Sequence, residues 1–67
     1  MQLGPYIKSR RKNLDMTQKQ LAKKVGVTDV TISRYENGER EPSFTEFIKL
    51  CKVLGMRIED FMGKEAE

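Results

Sequence analysis

Residues 17–38, "TQKQLAKKVGVTDVTISRYENG", decide the fold of this 67-residue chain. Thr17 and Gln20 have the spacing of a capping box, in which each side chain bonds the other residue's backbone N–H at a helix start. Gly26 is the residue type that ends a helix in the left-handed conformation. The segment therefore begins with a short helix. Its apolar stripe, at helical spacing, is Leu21, Ala22 and Val25.

The second half of the segment predicts another short helix, with Thr28 as its N-cap and Gly38 as its stop. Its composition is unusual, because β-branched residues are poor helix formers. With Ile32 facing the core at 100° per residue, Val30, Arg34 and Asn37 point outward. Short side chains and one arginine suit a face that approaches another surface closely. We therefore expect contact, rather than helix stability, to have selected the residues of this face.

The two helices are joined by the short link "GVT", which is the helix-turn-helix pattern. In that pattern the second helix enters the DNA major groove, led by its N-terminal residues. Arg34 can then fork onto guanine, Val30 can touch a thymine methyl, and Asp29 can accept from a cytosine amino group. The sequence therefore predicts a DNA-reading face.

Similar signals outline the rest of the chain. A first helix is predicted from Gly4 as cap and Pro5 to about Asn13, anchored by Leu3, Ile7 and Leu14. "PSFTE" opens a fourth helix, with Ser43 and Glu46 as its capping box and Gly55 as its stop. A last turn is expected at about 58–62. The predicted buried face of the fourth helix is Phe44, Phe47, Ile48, Leu50, Cys51 and Leu54.

Composition narrows the function classes. Residues 1–40 hold nine Lys/Arg against four Asp/Glu, and residues 41–67 hold four against six. A basic N-terminal part suits a polyanion such as nucleic acid, although a basic run such as Lys8, Arg10 and Lys12 also occurs on ordinary solvated surfaces. One cysteine and no histidine argue against a disulfide, a zinc site and histidine catalysis. We expect one cytoplasmic domain over residues 1–67, not an enzyme, without cofactor, metal, small-molecule ligand or membrane segment.

The pattern "TQ…LA…GV…IS..E.G…PS…L…LG" resembles the helix-turn-helix domain of the Cro and repressor family, also called the xenobiotic-response-element type. The resemblance covers about residues 3–62. It implies an all-α, compact, five-helix, lambda-repressor-like domain, with the helix-turn-helix at about 17–37 and residues 63–67 as a mobile tail. It also implies binding to operator DNA as a two-fold dimer.

The resemblance further implies roles for single residues. Gln18 matches a glutamine that contacts phosphate and braces the recognition helix. Arg11 and Glu36 match a structural arginine–glutamate pair, with a phosphate contact by Arg11 as an additional role. Asp29 departs from the usual Gln or Ser, so it either accepts from cytosine, orients Arg34 or serves the helix N-terminus. The groove-facing positions are Thr28, Asp29, Val30, Ser33 and Arg34, and the remaining backbone-contacting positions are Asn37 and Arg40.

The favoured function is a sequence-specific transcriptional regulator of bacterial or phage type. One recognition helix reads too few base pairs to find a site in a genome, so we expect a homodimer on a palindromic operator. The C-terminal region is the candidate dimer surface, through Met56, Ile58, Phe61 and Met62. The alternative is an antitoxin-like or anti-repressor-like module that uses the same fold to bind a protein.

Overall fold

The structure is a computed structural model that describes residues 3–57 and 59. Its helices are α1 (Leu3–Asn13), α2 (Gln18–Val25), α3 (Asp29–Glu36) and α4 (Phe44–Leu54). This confirms the all-α class, but the described residues contain four helices rather than the predicted five. The predicted last turn at 58–62 lies outside the described residues apart from Glu59, and so does the tail at 63–67. None of the described helices has the length and apolarity needed to cross a membrane.

The predicted helix boundaries of α2 and α4 are confirmed by their caps. The Thr17 hydroxyl accepts from the backbone N–H of Gln20 at 3.0 Å, and the side-chain Oε1 of Gln20 accepts from the backbone N–H of Thr17 at 2.8 Å. Ser43 and Glu46 form the same reciprocal arrangement at the start of α4. Both helices end at a glycine with positive φ, which is Gly26 for α2 and Gly55 for α4. Local capping chemistry therefore fixes these boundaries.

The start of α1 differs from the prediction. Gly4 lies inside the helix instead of capping it, and it is buried. A Cβ at this position would lie 2.6 Å from the backbone oxygens of Tyr35 and Glu36. Glycine is therefore required because the backbone of α1 touches the C-terminal end of α3. Pro5 still falls within the first helical turn, where its missing N–H has no intrahelical partner to lose.

The core lies where α3 and α4 each pack against α1 and α2. Met56, which follows α4, is also buried at 6% exposure. The buried apolar residues are Ile7, Leu21, Ala22, Val25, Ile32, Tyr35, Leu50, Cys51, Leu54 and Met56.

Two predicted core residues are exposed. Phe44, in the first turn of α4, is 75% exposed, whereas Leu50, Cys51 and Leu54 further along the helix are buried. Leu14 is 43% exposed, because α1 ends at Asn13 and the chain turns at Asp15, whose φ is +56°. Helical periodicity predicts the correct buried face of α4, but it does not predict which turns of that face are covered by other helices.

Candidate nucleic-acid interface

The outward face of α3 carries the predicted base-reading residues. Thr28, Asp29, Val30 and Arg34 are exposed, and Ser33 is half-buried. Val30, the apolar member of this set, is 56% exposed. On the opposite side, Ile32, Tyr35 and Glu36 are buried, as the helical wheel predicts. Four of the five predicted readers are therefore accessible, and Ser33 is partly so.

The N-terminus of α3 is built from short side chains. The Thr28 hydroxyl accepts from the backbone N–H of Thr31 at 3.2 Å and lies 3.0 Å from the Thr31 hydroxyl. α2 and α4 place Gln20 and Glu46 at the position that Thr31 occupies in α3. Those longer side chains fold back over the helix start, whereas Thr31 does not complete a capping box. The end of α3 is therefore capped yet sterically open.

Asp29 serves this same helix end. Its Oδ1 accepts from the backbone N–H of Val30 at 2.9 Å, which satisfies one of the amides that a helix start leaves unpaired. No ion pair joins Asp29 to Arg34 within the described residues. Of the three roles open to Asp29, the geometry therefore provides the helix N-terminus and leaves the second carboxylate oxygen accessible.

A buried hydrogen-bond network joins the first three helices beneath this face. Arg11 donates through Nε to Glu36 Oε2 at 2.6 Å and through Nη2 to Glu36 Oε1 at 3.1 Å. Its Nη1 donates to the backbone oxygen of Met16 at 2.8 Å. The side chains of Arg11 and Glu36 are 9% and 1% exposed, so the predicted pair is present and buried. All three guanidinium nitrogens of Arg11 bond within the protein, which leaves little of this side chain for DNA.

Gln18 enters the same network from the first position of α2. Its Nε2 donates to Glu36 Oε1 at 3.0 Å, so the glutamine braces the C-terminal end of α3. Gln18 is half-buried, and its carbonyl oxygen and second N–H have no partner within the described residues. The sequence predicts Gln18 at the helix start but not Glu36 as its partner, because the two residues are 18 positions apart.

Asn37 and Arg40 are exposed on the segment that follows α3. Beneath this segment, Tyr35 is 2% exposed, and its hydroxyl donates to the Glu46 carboxylate. Burial and the Glu46 carboxylate raise the pKa of Tyr35 to about 12. The hydrogen bond from Tyr35 lowers the pKa of Glu46, and the nearby Arg40 charge lowers it further. The hydroxyl therefore stays protonated and the carboxylate stays ionised throughout the neutral range.

One member of the basic run has a structural role instead of facing an anion. Arg10 donates through Nε and Nη2 to the backbone oxygen of Leu54, at 3.1 and 2.9 Å. It thereby caps the C-terminus of α4, where carbonyl groups lack intrahelical partners. Lys8 and Lys12 on α1 remain exposed, as do Lys19, Lys23 and Lys24 on α2. These lysines leave exposed positive charge on α1 and α2.

A short α2, a three-residue turn and an α3 with an open, accessible N-terminal face define a helix-turn-helix domain of the DNA-binding type. The chain belongs to the helix-turn-helix family, Cro/C1 type, whose profile matches residues 7–61.

Individual relatives agree with this assignment. Over 52 residues the chain is 42% identical to the transcriptional regulator DicA of Escherichia coli (strain K12), covering 78% of this chain and 38% of DicA. Over 64 residues it is 39% identical to the antitoxin PezA of Streptococcus pneumoniae, covering 94% of this chain and 40% of PezA. The chain thus spans about two fifths of the length of these relatives.

A solved structure supports the fold directly. The crystal structure of the P22 c2 repressor in complex with a synthetic operator superposes with a TM-score of 0.84 at 38% identity, covering 96% of both chains. These three relatives are a regulator, an antitoxin and a repressor.

Proposed function

We propose that this chain is the DNA-binding part of a sequence-specific transcriptional regulator, and that it places α3 in the major groove of double-stranded DNA. The observation that carries the proposal is the exposed face of α3, where Val30 is 56% exposed beside Thr28 and Arg34. Such a face has no role in the core of the domain. The likeness of the chain to a repressor that was crystallised with an operator supports the same proposal.

Base reading is assigned to the exposed face of α3. Arg34 offers a fork of donors to guanine, and Val30 offers its methyl groups to thymine. The Asp29 oxygen that does not bond Val30 can accept from a cytosine amino group. Thr28 and Ser33 complete the set, because a hydroxyl group both donates and accepts.

Phosphate contacts are assigned to Gln18, Asn37 and Arg40, which flank that face. Gln18 retains an N–H after bonding Glu36, and this N–H can donate to a phosphate oxygen. Arg11 contributes mainly through its pair with Glu36, since its side chain is 9% exposed. Contacts of this kind position the protein on DNA without reading sequence.

The test is selection of bound sites from a random oligonucleotide pool, followed by affinity measurements on the selected site and on random DNA. Gln18→Ala and Asn37→Ala should weaken binding to both DNAs to a similar degree. Each should leave the slope of log affinity against log salt nearly unchanged, because a neutral side chain releases no counterions, whereas Arg40→Ala should reduce that slope by about one unit. A selected pool without any enriched sequence would contradict sequence-specific recognition.

A second candidate is a protein-interaction module, which the 39% identity to an antitoxin favours. In that case the same fold would serve chiefly to bind a partner protein. A gel shift on random DNA at low salt separates the two functions, because a basic DNA-binding face retains affinity for any duplex. Absence of a shift under those conditions would favour the protein-binding function.

A further inference from the structure

The segment between α3 and α4 is tied to α3 at its beginning. The backbone N–H groups of Asn37 and Gly38 donate to Ser33 and Tyr35, at 2.9 and 3.2 Å. The N–H groups of Glu39 and Arg40 both donate to the oxygen of Arg34, at 2.9 and 3.3 Å. Gly38 makes this wrapping possible with a φ of +77°. These hydrogen bonds therefore fix the position of the Arg40 backbone relative to the C-terminal end of α3.

The other end of the segment is held at α4 by one carboxylate. Glu46 Oε1 accepts from the backbone N–H of Ser43 at 3.5 Å and also accepts from the Tyr35 hydroxyl. The Ser43 hydroxyl in turn accepts from the backbone N–H of Glu46 at 3.2 Å. Glu46 thus caps α4 and bonds α3 through the same oxygen atom. Because Tyr35 is buried at 2% exposure, this bond attaches the start of α4 to a fixed point.

The link matters because α3 and α4 pack chiefly on α1 and α2. Two helices that share supports but pack little on each other can shift independently unless something joins them. Here the hydroxyl of a core tyrosine meets the capping carboxylate of the next helix. The segment bounded by these anchors, residues 37–43, presents Asn37 and Arg40 to solvent.

We propose that Glu46, through its bond to the Tyr35 hydroxyl, is a positioning residue for DNA binding that holds residues 37–43 where Arg40 meets the phosphate backbone. The inference rests on the proposed DNA-binding function. Glu46 itself, as an anion, touches no phosphate. It acts on DNA binding through the segment that it fixes in place.

The test uses a double-mutant cycle of Tyr35→Phe and Arg40→Ala, measured as affinity for the selected site and for random DNA. Tyr35→Phe keeps the ring in the core and removes only the hydroxyl. We expect binding to both DNAs to weaken by about threefold to tenfold, with a salt slope lower by up to about one unit. The double variant should bind like Arg40→Ala alone, because both changes remove the same contact.

Further variants separate positioning from stability. Glu46→Gln should bind DNA at least as tightly as the wild type, since a glutamine completes the capping box of α2 in the same way. Glu46→Ala should lose both the cap and the link, and should bind like Tyr35→Phe. Val53→Ala, on the half-buried side of α4, is the matched control that lowers stability without touching the segment.

A readout without DNA completes the test. Amide exchange at Glu39, Arg40 and Glu41 should be faster in Tyr35→Phe than in Val53→Ala at equal global stability. Additive losses in the cycle, or wild-type binding and exchange in Tyr35→Phe, would overturn the positioning role alone. A wild-type protein that binds neither DNA would overturn the proposed function, and the positioning role with it.

Discussion

Arg34 is the residue on which sequence preference should depend most. It is exposed on the outward face of α3, and no ion pair within the described residues restrains it. Arg34→Ala should cost roughly 1–3 kcal/mol of binding to the selected site and relax the preference at one base pair. Titration of a panel of single-base variants of the site measures both effects.

Arg57→Ala is the matched control for Arg34→Ala, because it removes the same charge from an exposed position. It should lower affinity slightly and equally for all sequences. If Arg34→Ala also weakens the selected site and random DNA by the same factor, then Arg34 contacts phosphate and reads no base.

The Arg11–Glu36 pair supports the fold rather than the base-reading surface. Removing one partner of a buried pair leaves the other charge unpaired, which costs roughly 3–5 kcal/mol. Glu36→Ala should therefore be strongly destabilising, and Arg11→Ala should be comparably so. The chain carries its own comparison, because Arg57 and Glu59 pair at 3.7 Å with side chains 74% and 75% exposed.

Denaturant unfolding measures this difference. Arg57→Ala should change the free energy of unfolding by less than about 1 kcal/mol, since exposed pairs contribute little. If Glu36→Ala were no more destabilising than Arg57→Ala, the buried network of Arg11, Gln18 and Glu36 would not hold the helices together.

At the level of the elements, the contact between α1 and α3 depends on Gly4. A Gly→Ala change within a helix ordinarily stabilises by roughly 0.5–1 kcal/mol. Here the new methyl group would meet two backbone oxygens at 2.6 Å, and backbone cannot move aside as a side chain can. Gly4→Ala should therefore destabilise, by roughly 1–3 kcal/mol. A raised melting temperature in this variant would show that α1 and α3 are further apart than described.

The link between α3 and α4 should make stability depend on alkaline pH. The folded pKa of Tyr35, about 12, lies above its ordinary value of 10.0, so folding favours the protonated hydroxyl. Its contribution is complete below about pH 10 and is lost as the pH rises from about 10 to 12. Tyr35→Phe should be less stable at neutral pH and should show a smaller alkaline loss than the wild type. Equal alkaline losses in the two proteins would contradict the link.

The elements also show which features a sequence determines locally. The caps of α2 and α4 were predictable because Thr17–Gln20 and Ser43–Glu46 interact over one helical turn. The exposed face of α3 followed from periodicity once Ile32 was placed inside. In contrast, no periodic pattern encodes hydrogen bonds between residues that are distant in sequence. Such bonds join Gln18 to Glu36, Arg10 to Leu54 and Tyr35 to Glu46.

The errors share that cause. Gly4 is of a residue type that often caps a helix, and only its close contact with the backbone of α3 shows why it lies inside α1. Phe44 has the periodicity of the core, but it is 75% exposed, and periodicity alone does not show which turns of a helix are covered. In the sequence Arg10 cannot be distinguished from a solvated charge, and only the structure shows that it bonds Leu54 at the end of α4.

At the scale of the whole molecule, the proposed binding to a palindromic operator requires a second copy of the chain. Two α3 helices on a two-fold axis would read half-sites about 34 Å apart. Met56 is removed from the candidate dimer surface, because it is 6% exposed in the core of its own chain. Ile58, Phe61 and Met62 lie outside the described residues, and a dimer through them stays a prediction.

Sedimentation over a range of protein concentrations tests the dimer, with and without DNA. We expect weak self-association that Ile58→Asp and Met62→Asp abolish, and cooperative binding to a palindromic site. Val53→Ala controls for a general loss of stability. A protein that stays monomeric at high concentration and binds a palindrome without cooperativity would exclude the homodimer.

The burial of Cys51, at 6% exposure within the core of α4, gives the chain a built-in chemical probe. It is the one cysteine of the sequence, so a thiol reagent has a single target. That target becomes reactive only when the domain opens, and the labelling rate then follows the equilibrium population of opened molecules. A bound duplex lowers this population by the factor 1 + [DNA]/Kd. Slowed alkylation of one sulfur atom therefore reports DNA affinity without any label on the nucleic acid.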